Sequence, residues 1–531
     1  MKKFLILFLF SLFCSATVSA QNGEIGLLSW EITDGALIIS GDGEIPDFSM
    51  YSLPPWKSWR EIITSIDIRD GVIGIGVSAF DELTKAISVS IPSSVTTIRA
   101  SAFGSCILLT SITIPASVTF IDNTSFLYSS IAHIWVDEAN PYYSSIDGVL
   151  FNRDETTLIV FPPGRTGIYT IPEPVAIISG YAFAFCTQLT SVIIPQSVST
   201  INNHAFYRSG ITSIALSAYV SKIEENAFSG CALMTSISVD EANQIFSSKD
   251  GVLFNKNMTT LVAFPSGITG DYTIPESVHT IGTSAFWECK LSAVTIPHSV
   301  TAIQSFAFRL SGHMRSITIP SSVTSIGFFA FLDCYGLNSV VLPASVTNIS
   351  EGVFFGCNNL TEIINTNPTP QMLMQSINYS IFSGTIYNSC ILRVPAGSVD
   401  NYKNTELWNE FIYIEAIETE ITLDKKEIYL LAGASDKLAG TVTGSVNYPE
   451  VILWTSSRMD VATVDVSGKV IAGSQGTTVI SAFIGSEEAT CSATVIEPGK
   501  SSVSEAINNS ETENMRINLY IKPLEKIIIY L

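Results

Sequence analysis

The chain has 531 residues, with 27 basic against 48 acidic side chains and a formal charge of −21, yet only 14% of its residues are charged, against roughly 25% in an average soluble protein. That balance excludes partners held by phosphate neutralisation, nucleic acid first, because counterion release needs clustered Lys and Arg, and it disfavours an anionic membrane surface for the same reason. An apolar fraction of 47% and a mean hydropathy of +0.36 exclude global disorder, which needs low hydrophobicity and many charges.

Residues 1–20 run from Lys2-Lys3 through the apolar stretch Phe4 to Phe13 to Val18-Ser19-Ala20. This is the order of a secretory signal peptide, and cleavage after Ala20 predicts Gln21 as the first mature residue. The apolar run is too short to cross a bilayer, which needs about 20 residues, and no transmembrane span is expected later. Bulky Phe13 argues against a lipid anchor on Cys14. The expected location is secreted or on the outer surface of a bacterial cell.

Residues 21–82 read as a cap with a first repeat, and residues 83–416 as a repeat array. Across both, an Ala-Phe dipeptide or a close variant recurs with Phe at 80, 103, 126, 183, 206, 228, 286, 308, 331 and 354, in steps of 22 or 23 broken by two of 57 and 58. Periods of 20–29 residues belong to leucine-rich repeats. The unit is clearest from Ser316 to Leu337. Ile317-Thr318-Ile319 alternates as a short strand, Pro320 ends it because proline cannot donate to a ladder, and Val323, Ile326, Phe331 and Leu337 supply the other inward residues. One unit cannot bury such a face alone, so the units must stack into a solenoid with a parallel sheet along one side. The two long steps hold a second element: residues 136–173 match residues 239–276 at an offset of 103, and Phe151-Asn152-Arg153-Asp154 between two apolar stretches predicts an inserted β-hairpin.

The Ile-Pro-x-Ser-Val-x-x-Ile and Ala-Phe-x-x-Cys signature, with the Asp-Gly-Val-Leu-Phe insert, resembles the BspA-type (Treponema-type) leucine-rich repeat proteins of bacterial surfaces. Leu28 to Gly41 with Pro55-Trp56 resembles their N-terminal cap, and Val394-Pro395-Ala396-Gly397-Ser398 with Tyr402 and Trp408 resembles the end of their array. After Ile417 short alternating strands with Gly and Ser turns read as a β-sandwich over residues 417–497. Leu453-Trp454-Thr455-Ser456-Ser457, Val461 to Asp465 and Gly468-Lys469-Val470 resemble the bacterial immunoglobulin-like domain of group 2, with Trp454 as its core tryptophan. Residues 498–531 read as a linker and tail, whose Ile517 to Pro523 resembles a truncated remnant of a type IX secretion sorting signal. The expected fold is mainly β throughout.

Nothing in the chain supports catalysis, and no cofactor or metal is expected. Six cysteines, at 106, 186, 231, 289, 334 and 357, stand three residues after a repeat Phe, which predicts small buried side chains in one column; only Cys334 and Cys357 lie in successive units where a disulfide is geometrically open. The histidines share no spacing, and His204, His279, His298 and His313 are expected on the surface. Asp137, Glu138 and Asp147, with Asp240, Glu241 and Asp250, lack the oxygen spacing of a calcium loop and are expected to shape turns. Gly71 to Gly76 reads as a repeat loop.

The strand residues pointing away from the core form two columns. One reads Ser88, Ser111, His133, Ser191, Ser213, Ser236, Ala293, Ser316, Ser339, and the next Ser90, Thr113, Trp135, Ile193, Ala215, Ser238, Thr295, Thr318, Val341. His133 and Trp135 stand where the second copy has Ser236 and Ser238. Trp135 is therefore a candidate binding anchor, the alternative being that it packs beneath the adjacent hairpin. The family resemblance implies a non-enzymatic adhesin contacting host extracellular matrix proteins, such as fibronectin and fibrinogen, or other cells; a glycan-capturing surface protein is the alternative. Among residues 83–382 there are 11 basic and 18 acidic side chains, so the expected interface is hydroxyl-rich rather than electrostatic.

Overall fold

The computed structural model describes residues 21–374, 380–382, 386–417, 419–444, 452–484 and 487–497. The signal-like segment with Cys14, the tail from 498 and Val451 of the module's Val451 to Trp454 strand lie outside the described residues.

Each repeat coil carries two strands rather than one. The Ser-Ile-Thr-Ile segment builds a first parallel ladder, as where Ser316–Thr318 pairs with Ser339–Leu342 and that strand with Glu362–Asn365. The Thr-x-Ile segment after the proline builds a second ladder of two-residue strands, such as Thr97–Ile98 beside Phe120–Ile121. Gly71 to Gly76 is not a loop: Val72–Ile75 is a strand of this second ladder, with Val72 and Ile75 fully buried. Between the ladders the repeat phenylalanines stack along the core, for example Phe183 on Phe206 at 4.8 Å and Phe206 on Phe228 at 5.6 Å between ring centroids.

Aromatic residues also close the ends of this column. At the N-terminal end Trp56 is fully buried, stacks on Phe80 at 6.0 Å and donates its Nε1–H to the Ala79 carbonyl at 2.9 Å. The antiparallel strands Gln21–Ile25, Leu28–Thr33 and Ala36–Gly41 cover the sheet edge there, which an open solenoid would leave unpaired. Near the other end Tyr402 and Trp408 are fully buried, their O–H and Nε1–H donating to the carbonyls of Asn367 and Gln371 at 2.9 and 3.0 Å.

The insert is a three-stranded meander, one strand more than a single hairpin. Tyr143–Ile146 pairs antiparallel with Val149–Asn152, which pairs antiparallel with Thr157–Val160, and that strand opens the next second-ladder run through Ile177–Ile178. The first turn is Asp147-Gly148, both at positive φ (49° and 75°), the primed turn that suits hairpin twist. Asn140 anchors the insert to the preceding coil: its Nδ2 donates to the carbonyls of Pro115 and Val118, and its Oδ1 accepts from the amides of Tyr142 and Tyr143. Asn243 repeats all four bonds in the second copy. Asp137 and Asp240 each accept from the amide two residues on, at 2.9 Å, which is turn shaping.

All six column cysteines are buried and free, Cys334 and Cys357 included, so no disulfide joins that pair. They do more than fill space. Cys106, Cys231, Cys334 and Cys357 each donate the S–H to the carbonyl of the preceding coil's phenylalanine at 2.9–3.3 Å, and Ser311, at the same column position, does so through its hydroxyl at 2.7 Å. Burial pushes the Cys106 thiol up to about 12, which keeps it from forming the reactive thiolate.

The C-terminal module has a four-stranded sheet, Glu427–Leu431, Glu487–Ile496, Gly476–Ile484 and Leu453–Ser456 in spatial order, and a three-stranded sheet of Ser435–Lys437, Lys469–Ala472 and Ala462–Val464. Trp454 is half-buried and packs against both of the module's apolar clusters. Among the described residues no helix is long and apolar enough to cross a membrane, and no group of three or more His, Cys, Asp or Glu side chains is placed to hold a metal ion.

Candidate functional site

The first ladder presents its outward columns as the alignment expects. His133 sits opposite Ser111 and Trp135 opposite Thr113, and Ser213 and Ala215 sit opposite Ser236 and Ser238. Proline after the strand and period-two alternation fix which side chains face out. The result is a face of hydroxyl and aliphatic side chains, Ile168 and Ile193 among the exposed ones, on which few charges stand.

His133 and Trp135 break that texture. Their rings stack at 5.3 Å with planes 6° apart, as residues two apart on one strand face permit. Trp135 is 44% exposed, so the hairpin does not cover it. The hairpin turn packs instead on His133. A Cβ on Gly148 would lie 2.8 Å from His133 Nδ1, so only glycine, already at φ +75°, allows this approach. The Gly148 carbonyl accepts from the amide of Ile134 at 2.8 Å, tying the turn to the strand, while His133 Nδ1 lies buried without a hydrogen-bond partner.

Sequence reasoning missed the neighbour that completes this edge. Arg165 pairs with Asp147 Oδ2 at 2.6 Å and also donates to the Asp147 carbonyl oxygen at 2.5 Å. Its guanidinium stands 5.5 and 5.8 Å from the ring centres of Phe161 and Tyr169. The Arg165 hydrogen bond and charge, with a smaller contribution from His133, hold the Asp147 carboxyl below its ordinary 3.8. The second copy has Ser236, Ser238 and Ile268 where the first has His133, Trp135 and Arg165, so comparing the two copies beyond the strand columns exposes the whole set. Exposed ion pairs contribute little to stability, but Trp and Arg are the residue types that concentrate binding energy.

His204 is not a plain surface residue. It stacks on Tyr181 at 4.8 Å and meets Tyr207 edge-on at 5.4 Å, in a turn face where the residues two before and two after most repeat phenylalanines take positive φ. Burial first, and the charge of Arg309 second, lower its pKa from 6.5. A base with a depressed folded pKa contributes stability that is complete above 6.5 and declines as pH falls below it, because the unfolded chain takes up the proton that the folded one resists. His204→Gln is therefore expected to flatten the melting temperature between about pH 7.5 and 5.5, whereas the depressed carboxylates, Asp147 among them, act only near 3.8 and below. Thermal melts of both proteins across that range check it; parallel curves contradict it.

Two family models match the chain. The BspA type Leucine rich repeat region matches residues 59–170, 165–270 and 263–389, and the Bacterial Ig-like domain (group 2) matches residues 418–495. No curated protein matches. Among solved structures, a leucine-rich repeat protein from Eubacterium ventriosum is 21% identical over 75% of this chain and 93% of its own, with a TM-score of 0.39. A leucine rich cell surface protein from Faecalibacterium prausnitzii is 24% identical over 68% and 96%, with a TM-score of 0.36, and the pneumococcal vaccine antigen PcpA is 16% identical over 75% and 99%, with a TM-score of 0.40. The repeat match, spanning residues 59–389, covers more than half of the chain, and the chain belongs to the BspA-type leucine-rich repeat family.

Proposed function

We propose that the chain is a non-enzymatic, secreted or surface-held protein that binds other proteins through the strand face of its solenoid, with the His133–Trp135 edge as the anchor. Host extracellular matrix proteins or proteins of other cells are the proposed partners, and the immunoglobulin-like module is a spacer or second contact. The observation that carries this reading is Trp135, 44% exposed and held by its stack on His133, in a face built largely of Ser, Thr and aliphatic residues. Membership of a repeat family whose scaffold stacks coils into an extended face supports it.

The test is a binding screen of the purified protein against fibronectin, fibrinogen, mucin and neutral polysaccharides. Saturable binding to a matrix protein, changing less than tenfold between low and high salt, is the expected result, since a charge-poor face has few counterions to release. Salt-insensitive binding to polysaccharides with none to any protein would instead favour the glycan-capturing alternative.

A further inference from the structure

We infer that a cleft at the junction of the second insert, remote in sequence from the His133–Trp135 edge, is a subsite for one neutral sugar ring. The cleft lies between the coil of Phe228 and the third strand of the insert with the coil of Phe286, and encloses about 170 Å³. That is more than one or two waters fill and less than the roughly 300–1,000 Å³ of a drug-sized pocket.

Three of its lining residues carry polar atoms that are buried and have no hydrogen-bond partner: Asn226 Oδ1, Ser284 Oγ and Trp287 Nε1. Ser284 and Trp287 are each 6% exposed. Buried polar groups are ordinarily paired, and an orphan is costly to keep. Three in the lining of one cleft mark a place where partners are to be supplied from outside.

The two copies of the super-repeat show how the cleft arises. At the offset of 103, Ile159, Val160, Ser179 and Tyr181 of the first copy become Val262, Ala263, Gly282 and Ser284 in the second. Each change removes side-chain volume from the lining. In the other direction Gly180 becomes Thr283, and Ala184 becomes Trp287, which adds an N–H donor to the wall. The coil geometry is the same in both copies: the Phe264 amide reaches the Ala285 carbonyl at 2.7 Å, as the Phe161 amide reaches that of Ala182 at 2.8 Å.

The chemistry of the lining selects the ligand. Trp287 offers only a donor, Asn226 Oδ1 only an acceptor, and the Ser284 hydroxyl both. A ligand satisfying all three must present acceptors and donors together within one ring's volume. The lining contains no Lys or Arg to hold an anionic sugar or a phosphate, and its unpaired charged member, Glu225, opposes one. A cation is disfavoured because the Trp287 N–H repels it and Glu224 is already paired with Lys222 at 2.6 Å. Val262, Ala263 and Phe264 supply an apolar wall for ring C–H groups. A neutral pyranose meets these conditions.

Saturation-transfer-difference NMR of the whole protein with glucose, galactose, N-acetylglucosamine and glucuronate tests this. At least one neutral sugar is expected to receive transfer, with an affinity on the order of millimolar as suits so small a ligand, and glucuronate to bind at least tenfold more weakly. Ser284→Tyr, which installs the side chain that the first copy carries as Tyr181, should weaken the neutral sugar at least tenfold without lowering the melting temperature; Asn226→Ala should weaken it as well, by emptying rather than filling the site. Transfer to none of the neutral sugars, as from a cleft holding water alone, overturns the inference. So does undiminished transfer in both variants, or glucuronate binding equal to glucose.

Discussion

Replacing Phe206 with alanine is expected to destabilise the solenoid by about 3–5 kcal/mol, the range for emptying a fully buried aromatic site. The ring is 0% exposed and is stacked on both sides, on Phe183 at 4.8 Å with planes 3° apart and on Phe228 at 5.6 Å. Its loss removes apolar burial and two aromatic contacts, each about 0.5–1.5 kcal/mol beyond area. Because a coil touches only its neighbours, the damage falls on both interfaces of one coil. Denaturant unfolding should show the lowered midpoint, and amide exchange should rise first in Gly167–Thr170 and Ser213–Leu216, the first-ladder strands of the coils on either side. A shift under about 1 kcal/mol would mean that the phenylalanine column is not the structural spine.

Asn243→Ala is expected to cost as much or more, although it removes only an amide. The side chain is 0% exposed and makes four bonds to the backbone, donating to the Ser217 and Val220 carbonyls and accepting from the amides of Ile245 and Phe246 at 2.8–2.9 Å. Alanine leaves several of these groups without partners in a site water does not reach, at about 1–3 kcal/mol each. Asp240→Ala, which releases a single exposed turn amide, should cost no more than about 1 kcal/mol. Melting of the two variants side by side measures the difference. Equal effects would show that the insert is held by its apolar strands and not by the asparagine.

Much of this architecture can be read from residue order because the repeat Phe, the proline after each strand and the Ile alternation each encode a local geometry that stacking then enforces. The first ladder, the burial of the cysteine column and the outward placement of His133 and Trp135 follow from that. The second ladder does not, because strands of two residues, such as Thr97–Ile98, are too short to show a period. The first insert turn is encoded in Asp147-Gly148, a strong hairpin signal, whereas the apolar run around Phe151 marks only the second turn. Cysteine as a donor is invisible in composition, and the interchange with Ser311 is what reveals it. His204 enters an aromatic cluster because turn residues of successive coils stack, a contact 23 residues away for Tyr181. The cleft escapes ordinary motif reading because it arises from differences in side-chain size between the two copies and not from a motif.

The most direct measurement is the affinity of the protein for immobilised fibronectin, by surface plasmon resonance, with and without Trp135→Ala and with the melting temperature of each recorded. The His133–Trp135 edge as anchor predicts binding weakened at least tenfold by the substitution, about 1.4 kcal/mol or more, with melting unchanged because a 44% exposed ring contributes little to the core. A variant that binds as the parent does, or one whose only change is earlier melting, would contradict it.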